Sequence, residues 1–200
     1  MPFRRYPAGE LFPSEPLKDP EAITAYIDGG ARGNPGPGGY GVHIRDAGGK
    51  TLAELSEYLG HCTNNFAEYS GLIAALQYAV KHAHPSLRVF SDSELLVKQM
   101  RGQYKVKSPE LQLLHRRAKE LASGLGSVEI RHVPREKNRE ADRLANLAMD
   151  KGTNRSPAAA RAHDAGEMLA GVVRNGRIEF EGTLPEGTRV KIRPAVRSKN

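Results

Sequence analysis

Alternating hydrophobic and polar positions predict five strands between residues 22 and 133. In order, the predicted strands are AITAYID (22–28), GYGVHIRD (39–46), TLAELSEYLG (51–60), LRVFSD (87–92) and GSVEIRHV (126–133). The glycine-rich segment GGARGNPGPGG (29–39) predicts a loop after the first strand, and AGGK (47–50) predicts a hairpin turn between the second and third. LRVFSD is short and carries the apolar residues Leu87, Val89 and Phe90, and we interpret it as a central strand buried on both faces.

Apolar residues at helical spacing predict four helices, at 66–82, 93–102, 109–122 and 138–150. Asn64 and Asn65 offer N-cap chemistry for the first of them. The predicted order is therefore three strands, a helix, a strand, two helices, a strand and a helix. Joined by right-handed crossovers, these elements form an α/β fold in which helices flank a mixed sheet.

The predicted elements divide the chain into four parts. These are an N-terminal arm (1–21), the α/β domain (22–152), a linker (153–171) and a small β-rich tail (172–200). In the tail, Asn175-Gly176 predicts a hairpin turn, and TRVKIRP (188–194) predicts a third strand. The tail either pairs with another chain, binds nucleic acid through its basic residues or packs on the domain, so we expect a monomer or a homodimer formed through it.

Composition places the chain among ordinary soluble proteins, with 38% hydrophobic and 26% charged residues. No stretch approaches the roughly 20 apolar residues of a membrane span. The N-terminus lacks the apolar core of a secretory signal. Cys62 is the only cysteine, which rules out an intramolecular disulfide and fits a reducing compartment. We therefore expect a cytoplasmic protein without a membrane partner.

Positive charge is concentrated in one stretch of a chain whose net charge is +7. Between Val97 and Lys119, Glu110 is the single acid, and the cations are Lys98, Arg101, Lys105, Lys107, Arg116, Arg117 and Lys119. Such a run is either a solvated helix face or a surface that faces phosphates. We favour the phosphate-facing interpretation, which makes a nucleic acid the expected partner.

Four acidic residues stand at the ends of predicted elements. Asp28 and Asp92 end the first and fourth strands, Glu68 lies in the first turn of a helix, and Asp142 begins the last helix. The two strands are expected to be parallel neighbours, which places both aspartates at one sheet edge. Clustered carboxylates repel unless a cation neutralises them, and Mg²⁺ suits oxygen ligands best. Two such ions can activate a water and stabilise the leaving oxygen of a phosphodiester.

Each acid also has a purely structural explanation. Glu68 and Asp142 could stabilise helix dipoles, Asp92 could be an N-cap, and Asp28 could be a turn residue. Considered one at a time, these explanations are the stronger ones. The metal site rests on the joint placement of the four.

Four segments in this order resemble the signature blocks of type 1 ribonuclease H. They are IDGGARGNPGPGGYG, TNNFAEY, SDSELLV and NREADRLANLA, and the resemblance covers about residues 22–151. It implies a five-stranded mixed sheet flanked by helices. The implied reaction is hydrolysis of the RNA strand of RNA–DNA hybrids by two-metal-ion catalysis, which leaves 5′-phosphate and 3′-hydroxyl ends. The implied ions are Mg²⁺, with Mn²⁺ as a substitute.

The resemblance also implies roles for individual residues. Asp28, Glu68, Asp92 and Asp142 match the four metal-binding carboxylates of the family. The remaining matches concern the substrate: Asn34, Asn64 and Asn65 match minor-groove contacts, and Thr63 matches a residue near a DNA phosphate. Asn34 and Asn64 could instead shape a turn and cap a helix, and these roles are compatible with hybrid contact.

The chain departs from the family pattern in three places. VPREKN (133–138) lacks the mobile histidine that assists product release in many members, and Arg135 is the best substitute among Arg135, Glu136 and Lys137. There is no tryptophan for a basic protrusion, so Tyr104, Lys105 and Lys107 are the expected stacking and phosphate contacts. Glu94 stands where a hybrid-contacting glutamine often occurs. The pattern therefore resembles the compact branch of the family.

Two other functions compete with hybrid cleavage. One is a different nuclease of the same fold superfamily, although the TNNFAEY block argues against it. The other is a hybrid-binding module without catalysis. The tail adds a weaker resemblance, because its LPEGTRV phrase occurs in small β modules of antitoxin-like proteins.

Overall fold

The computed structural model of the protein describes residues 19–153, 171–174 and 177–180. The strands of its main sheet are β1 (Ile23–Ala31), β2 (Gly36–Arg45), β3 (Thr51–Cys62), β4 (Ser86–Ser91) and β5 (Ser127–His132). The helices are α1 (Asn64–Lys81), α2 (Glu94–Met100), α3 (Pro109–Ser123) and α4 (Arg139–Gly152), and a short 3₁₀ turn (Arg135–Lys137) precedes α4. The order of elements is the predicted one.

The five strands form one mixed sheet in the order β3-β2-β1-β4-β5. β2 pairs antiparallel with both β1 and β3, whereas β4 pairs parallel with both β1 and β5. The prediction that the first and fourth strands are parallel neighbours is therefore confirmed. It places the residues that follow Ile27 and Ser91, which are register partners, side by side at one edge of the sheet.

Helices cover both faces of the sheet. α1 packs on β1 and β2 and is itself covered by α3, and the core between them contains buried Ile27, Leu72 and Leu76. α4 packs on the opposite face, across β1, β2 and β3. Because successive residues of a strand face opposite sides, β1 presents its apolar positions to α1 and the alternate positions to the side of α4.

The close approach of α4 depends on a glycine in β2. A Cβ atom on Gly41 would lie 2.2 Å from the carbonyl oxygen of Ala141 and 2.5 Å from the amide nitrogen of Ala145. The helix backbone thus occupies the space that any side chain at this position would need. This contact brings the first turn of α4, which carries Asp142, down onto the sheet.

The prediction that the whole of 29–39 forms a loop is wrong. β1 continues to Ala31 and β2 begins at Gly36, and the two strands remain paired as far as Ala31↔Gly38. Glycine-rich sequence usually predicts a loop, but here the partner strand satisfies the backbone groups and the missing side chains make room for helices. The turn itself is short, and the Arg32 amide closes it by donating to the Pro37 carbonyl at 2.8 Å.

The predicted N-caps of α1 are also corrected. Thr63 is the N-cap, and its Oγ1 accepts a hydrogen bond from the Phe66 amide at 3.2 Å. Asn64 is the first residue of the helix and Asn65 the second, so neither caps it. Glu68 is consequently the fifth residue of α1 and lies beyond the first turn. The prediction that it belongs to the first turn is therefore wrong.

The chain divides into two compact units, Met1–Ala160 and Arg161–Asn200. In the second unit, β6 (Gly171–Arg174) and β7 (Arg177–Phe180) pair antiparallel, and the predicted turn at Asn175-Gly176 lies outside the described residues. The predicted arm up to residue 18, most of the predicted linker and the predicted strand at 188–194 lie outside the described residues. Within the described part of the chain, no helix has the length and apolar character needed to cross a membrane.

We expect Gly41→Ala to lower the free energy of unfolding by about 2 kcal/mol, because its Cβ collides with the backbone of α4. Urea denaturation measures the change. Gly30→Ala is the matched control, since its Cβ meets only the end of the Met149 side chain, at 3.9 Å. Equal stability of the two variants would contradict the close approach of α4 to β2.

Candidate functional site

Three carboxylates converge at the edge of the sheet where β1 and β4 lie side by side. Asp28 comes from β1, Asp92 directly follows β4, and Glu68 comes from α1. One carboxylate oxygen from each of them lies within 4.8 Å of the other two. Three of the four acids predicted to form a metal site are therefore brought together.

A glycine next to Asp28 lets α1 carry Glu68 into this group. A Cβ on Gly29 would lie 2.3 Å from the carbonyl carbon of Ala67 and 2.3 Å from the amide nitrogen of Glu68. The backbone of α1 therefore touches β1 at this point, where a side chain would separate them. The glycine that suggested a loop in the sequence instead sets the distance between Asp28 and Glu68.

The structural explanations for Asp28 and Asp92 do not hold. Asp28 lies inside β1, paired with Gly41, and not in a turn. The N-cap of α2 is Ser93, whose Oγ accepts from the Leu96 amide at 3.3 Å, and not Asp92. Asp28 is therefore not a turn residue, and Asp92 is not the N-cap of α2.

Asn138 orients Asp92, a role that the sequence did not reveal. Its side chain is buried, and Nδ2 donates to the Ile27 carbonyl at 2.8 Å and to Oδ1 of Asp92 at 3.0 Å. One amide group thus fixes the Asp92 carboxylate against β1. The available signal was an asparagine directly before the last helix, within the NREADRLANLA block.

Asp142, the fourth predicted acid, is not among the three converging carboxylates and is bound to Arg135. Nη2 of Arg135 donates to its Oδ1 at 2.5 Å, and Nδ2 of Asn146 contacts its Oδ2 at 3.2 Å. After burial and the charge of Asp92, the negative charge of Asp142 also raises the pKa of Asp28. The structure therefore places Arg135, the predicted histidine substitute, directly on one of the four acids.

Burial and mutual repulsion make the cluster unfavourable as a set of free anions. Burial, followed by the charges of Asp92 and Asp142, raises the pKa of Asp28 to about 7. Burial and the charges of Asp28 and Asp92 raise the pKa of Glu68 well above its usual range, against the opposing effect of a hydrogen bond with Ser91. Asp28 and Glu68 thus resist ionisation, first because they are buried and then because of the neighbouring negative charges.

The chemistry of this group fits a hard divalent cation. Oε2 of Glu68 is buried and has no hydrogen-bond partner among the described residues, so one acceptor in the cluster is unsatisfied. Carboxylate oxygens are the ligands that Mg²⁺ prefers, and a cation between them would remove both the repulsion and the unsatisfied acceptor. Asp28, Glu68 and Asp92 supply the converging oxygens.

The asparagines predicted to contact substrate lie at the β1–β2 turn and the start of α1. Oδ1 of Asn64 accepts from the Ala31 amide at 2.8 Å, and Oδ1 of Asn34 accepts from the Asn64 amide at 3.2 Å. Both side chains are exposed, and Asn65 is half-buried beside them. Since both acceptor oxygens are engaged by backbone, the groups that these two amides present to solvent are donors. The hydroxyl oxygen of Thr63 accepts the N-cap hydrogen bond of α1.

The basic stretch does not act as one surface. Both Nε and Nη2 of Arg101 donate to the Ile130 carbonyl, which turns this side chain towards the sheet. Lys98 pairs with Glu94 at 2.7 Å, and its Nζ lies 5.0 Å from the centre of the Tyr104 ring. Within the connection between α2 and α3, Tyr104, Lys105 and Lys107 are exposed. The phosphate-facing prediction therefore rests on these three residues and on exposed positions of α3, and does not include Arg101.

Sequence comparison identifies the family. Residues 26–148 match the family model described as reverse transcriptase-like. A bifunctional protein of Mycobacterium tuberculosis is 49% identical over 129 residues, which is 64% of this chain and 35% of that protein. The ribonuclease HI of Halobacterium salinarum is 41% identical over 128 residues, which is 64% of this chain and 64% of that protein. The chain thus spans about a third of the first relative and less than two thirds of the second.

Solved structures share the fold. The crystal structure of RNase H1 from Halobacterium salinarum has a TM-score of 0.63 and 41% identity, covering 65% of this chain and 98% of that chain. LC11-RNase H1, isolated from compost by a metagenomic approach, was solved in complex with an RNA/DNA hybrid. That complex has a TM-score of 0.62 and 44% identity, covering 66% of this chain and 99% of that chain. The predicted five-stranded mixed sheet flanked by helices is confirmed.

We expect the metal-free protein to lose stability as the pH rises from about 4 to about 7. The folded-state pKa of Asp28 lies near 7, above its ordinary value of 3.8, so the folded protein holds this proton more tightly than the unfolded chain does. The stability that this proton contributes is complete below pH 3.8 and is lost as the pH passes through 7. Glu68 acts in the same direction.

The measurement is the thermal midpoint in EDTA at pH 5 and pH 8, for the wild type and for Asp28→Asn. The variant removes one of the repelling charges, so its midpoint should fall less between the two pH values and should equal or exceed the wild-type midpoint at pH 8. Glu120→Gln removes an exposed acid of α3 and serves as the charge-matched control. A wild-type midpoint that rises with pH would contradict the repulsion in the cluster.

Proposed function

This chain belongs to the ribonuclease H family, and we propose that it is an endonuclease that hydrolyses the RNA strand of RNA–DNA hybrids. The observation that carries the proposal is the convergence of Asp28, Glu68 and Asp92 at one sheet edge, with exposed amide donors at the neighbouring turn. The hybrid bound to LC11-RNase H1, whose identity to this chain is 44%, supports the substrate class.

The proposed cofactor is Mg²⁺, two ions during catalysis, with Mn²⁺ as a substitute. Asp28, Glu68, Asp92 and Asp142 would hold the ions, and the buried unpaired oxygen of Glu68 supports this assignment. When bound, the ions supply Lewis-acid stabilisation and lower the pKa of an attacking water. The chain contributes the orientation of the ligands, since Asn138 fixes Asp92 and Arg135 holds Asp142. The proposed products carry 5′-phosphate and 3′-hydroxyl ends.

The proposed substrate contacts use the donors that the fold leaves free. Asn34 and Asn64 present amide donors towards the minor groove, and Asn65 and Thr63 stand next to them, with Thr63 near a DNA phosphate. Acceptors line the minor groove at every base pair, so such donors suit binding without sequence preference. Ribose hydroxyls offer an additional acceptor that occurs only on the RNA strand.

Phosphates further along the hybrid would meet the connection between α2 and α3. Tyr104, Lys105 and Lys107 are exposed there, and they supply one aromatic ring and two cations. The catalytic unit is proposed to be residues 22–152, because all four acids and all proposed contacts lie within it.

Arg135 is proposed to take the place of the family's mobile histidine. Its side chain is 73% exposed although it is bound to Asp142, so it can leave the carboxylate without breaking a packed contact. Released from Asp142, the guanidinium can bind the scissile phosphate or the 5′-phosphate of the departing product. Its planar set of N–H donors is well suited to a phosphate.

We expect the chain to cut RNA only when it is paired with DNA, and only with a divalent ion. Labelled hybrid, duplex DNA and duplex RNA, each incubated with Mg²⁺ and with EDTA, test this expectation. Asp92→Asn should lower turnover by roughly a hundredfold or more while circular dichroism shows an intact fold. Equal cutting of duplex DNA, or full activity in EDTA, would overturn the proposed activity. Binding without cleavage would indicate a hybrid-binding module instead.

Arg135→Ala should lower kcat about tenfold, because a cation near the leaving phosphate is lost. Arg135→Lys should retain part of the rate, since it keeps the charge but loses the fork. Lys137→Ala is the matched control, as it removes a cation from the same 3₁₀ turn. The role fails if the alanine variants at 135 and 137 have the same steady-state kcat.

A further inference from the structure

An ion pair joins the turn between β1 and β2 to the far end of α4. Nη2 of Arg32 binds Oδ1 of Asp150, and the two residues are 118 positions apart in sequence. The side chains are only 27% and 13% exposed, so this is a partly buried pair and not a loose surface contact. An acid in the last turn of a helix is disfavoured by the helix dipole, and a nearby cation offsets this cost.

The turn that carries Arg32 is compact. Its amide donates to the Pro37 carbonyl at 2.8 Å, and Gly33 has a φ of +100°, a conformation that favours glycine. A Cβ on Gly36 would lie 2.2 Å from the Arg32 carbonyl oxygen, so the two sides of the turn are in contact. Anchoring the side chain of Arg32 therefore restrains the turn that carries Asn34, two residues further on.

Asn34 is in turn bonded to α1. Its Oδ1 accepts from the Asn64 amide at 3.2 Å, and Oδ1 of Asn64 accepts from the Ala31 amide at 2.8 Å. The turn, the start of α1 and the end of α4 thus form one connected set. Among the hydrogen bonds of the described residues, the ion pair between Arg32 and Asp150 is the one that joins this turn to α4.

We propose that Arg32 and Asp150 are positioning residues that hold the Asn34 and Asn64 amides in place for the minor groove of the hybrid. This inference rests on the proposed function. The pair acts through the turn, so it affects binding of the hybrid and leaves the arrangement of the metal-binding acids unchanged.

The geometry favours this role over direct phosphate binding by Arg32. Nη1 of Arg32 is buried and has no hydrogen-bond partner among the described residues, which keeps this nitrogen out of reach of a phosphate. Asp150 next to the guanidinium would also repel a phosphate. The guanidinium of Arg32 therefore binds within the protein and does not contact the substrate.

A double-mutant cycle tests the pair. Asp150→Asn, Arg32→Met and the double variant are compared with the wild type for hybrid Kd by fluorescence anisotropy, and for KM and kcat in Mg²⁺. Each single variant should raise Kd and KM about fivefold, and the double variant should raise them no further, because the two residues act as a unit. kcat should stay within about twofold of the wild type.

The control is Glu54→Gln, which breaks the ion pair between β3 and Arg143 of α4 away from the turn. It should lower the thermal midpoint less than Asp150→Asn does, because this pair is exposed, and it should leave Kd and KM unchanged. A purely structural pair would give the same Kd for both variants.

Three results would overturn the inference. They are an unchanged Kd in Asp150→Asn, tighter binding in Asp150→Asn together with weaker binding in Arg32→Met, and additive effects in the double variant. The second result would assign Arg32 to a phosphate. The proposed function fails separately, if the wild type does not prefer hybrid to duplex DNA.

Discussion

Repulsion among the carboxylates at the shared end of β1 and β4 is the interaction around which the rest of the site is arranged. Asp28, Glu68 and Asp92 lie within 4.8 Å of one another, and burial adds to the cost of their charges. A flexible chain would let these groups separate. The sheet register and the contact between α1 and β1 prevent this separation. The three carboxylates therefore favour the binding of a positive charge between them.

The neighbouring side chains are arranged to limit this repulsion without removing it. Ser91 hydrogen-bonds with Glu68, Asn138 donates to Asp92, and Arg135 binds Asp142. Of these three, only Arg135 brings a positive charge, and its side chain is largely exposed. Ser91 and Asn138 therefore orient the acids through uncharged hydrogen bonds. The balancing positive charge comes from groups that can be replaced, such as the exposed Arg135.

The sequence predicted the order of elements, the parallel pairing of the first and fourth strands, and the convergence of the acids. These predictions follow from local periodicity and from the rules of crossover connections. Local pattern failed at Gly29, where glycine signalled a loop but in fact permits helix contact. It also missed Asn138 and the pairing of Arg32 with Asp150, because the partners of these side chains are more than 40 residues away.

The position of α4 at the end of the domain determines when, during synthesis of the chain, the site can be completed. The bonds that complete the site reach from Asn138 back to Ile27 and from Asp150 back to Arg32, across 111 and 118 residues. A growing polypeptide can assemble the sheet and the first three acids, yet Asp92 lacks its orienting amide until Asn138 has been added. Contacts this distant in sequence are the slow ones to form. A nascent chain therefore cannot complete the carboxylate site until translation has passed its last helix.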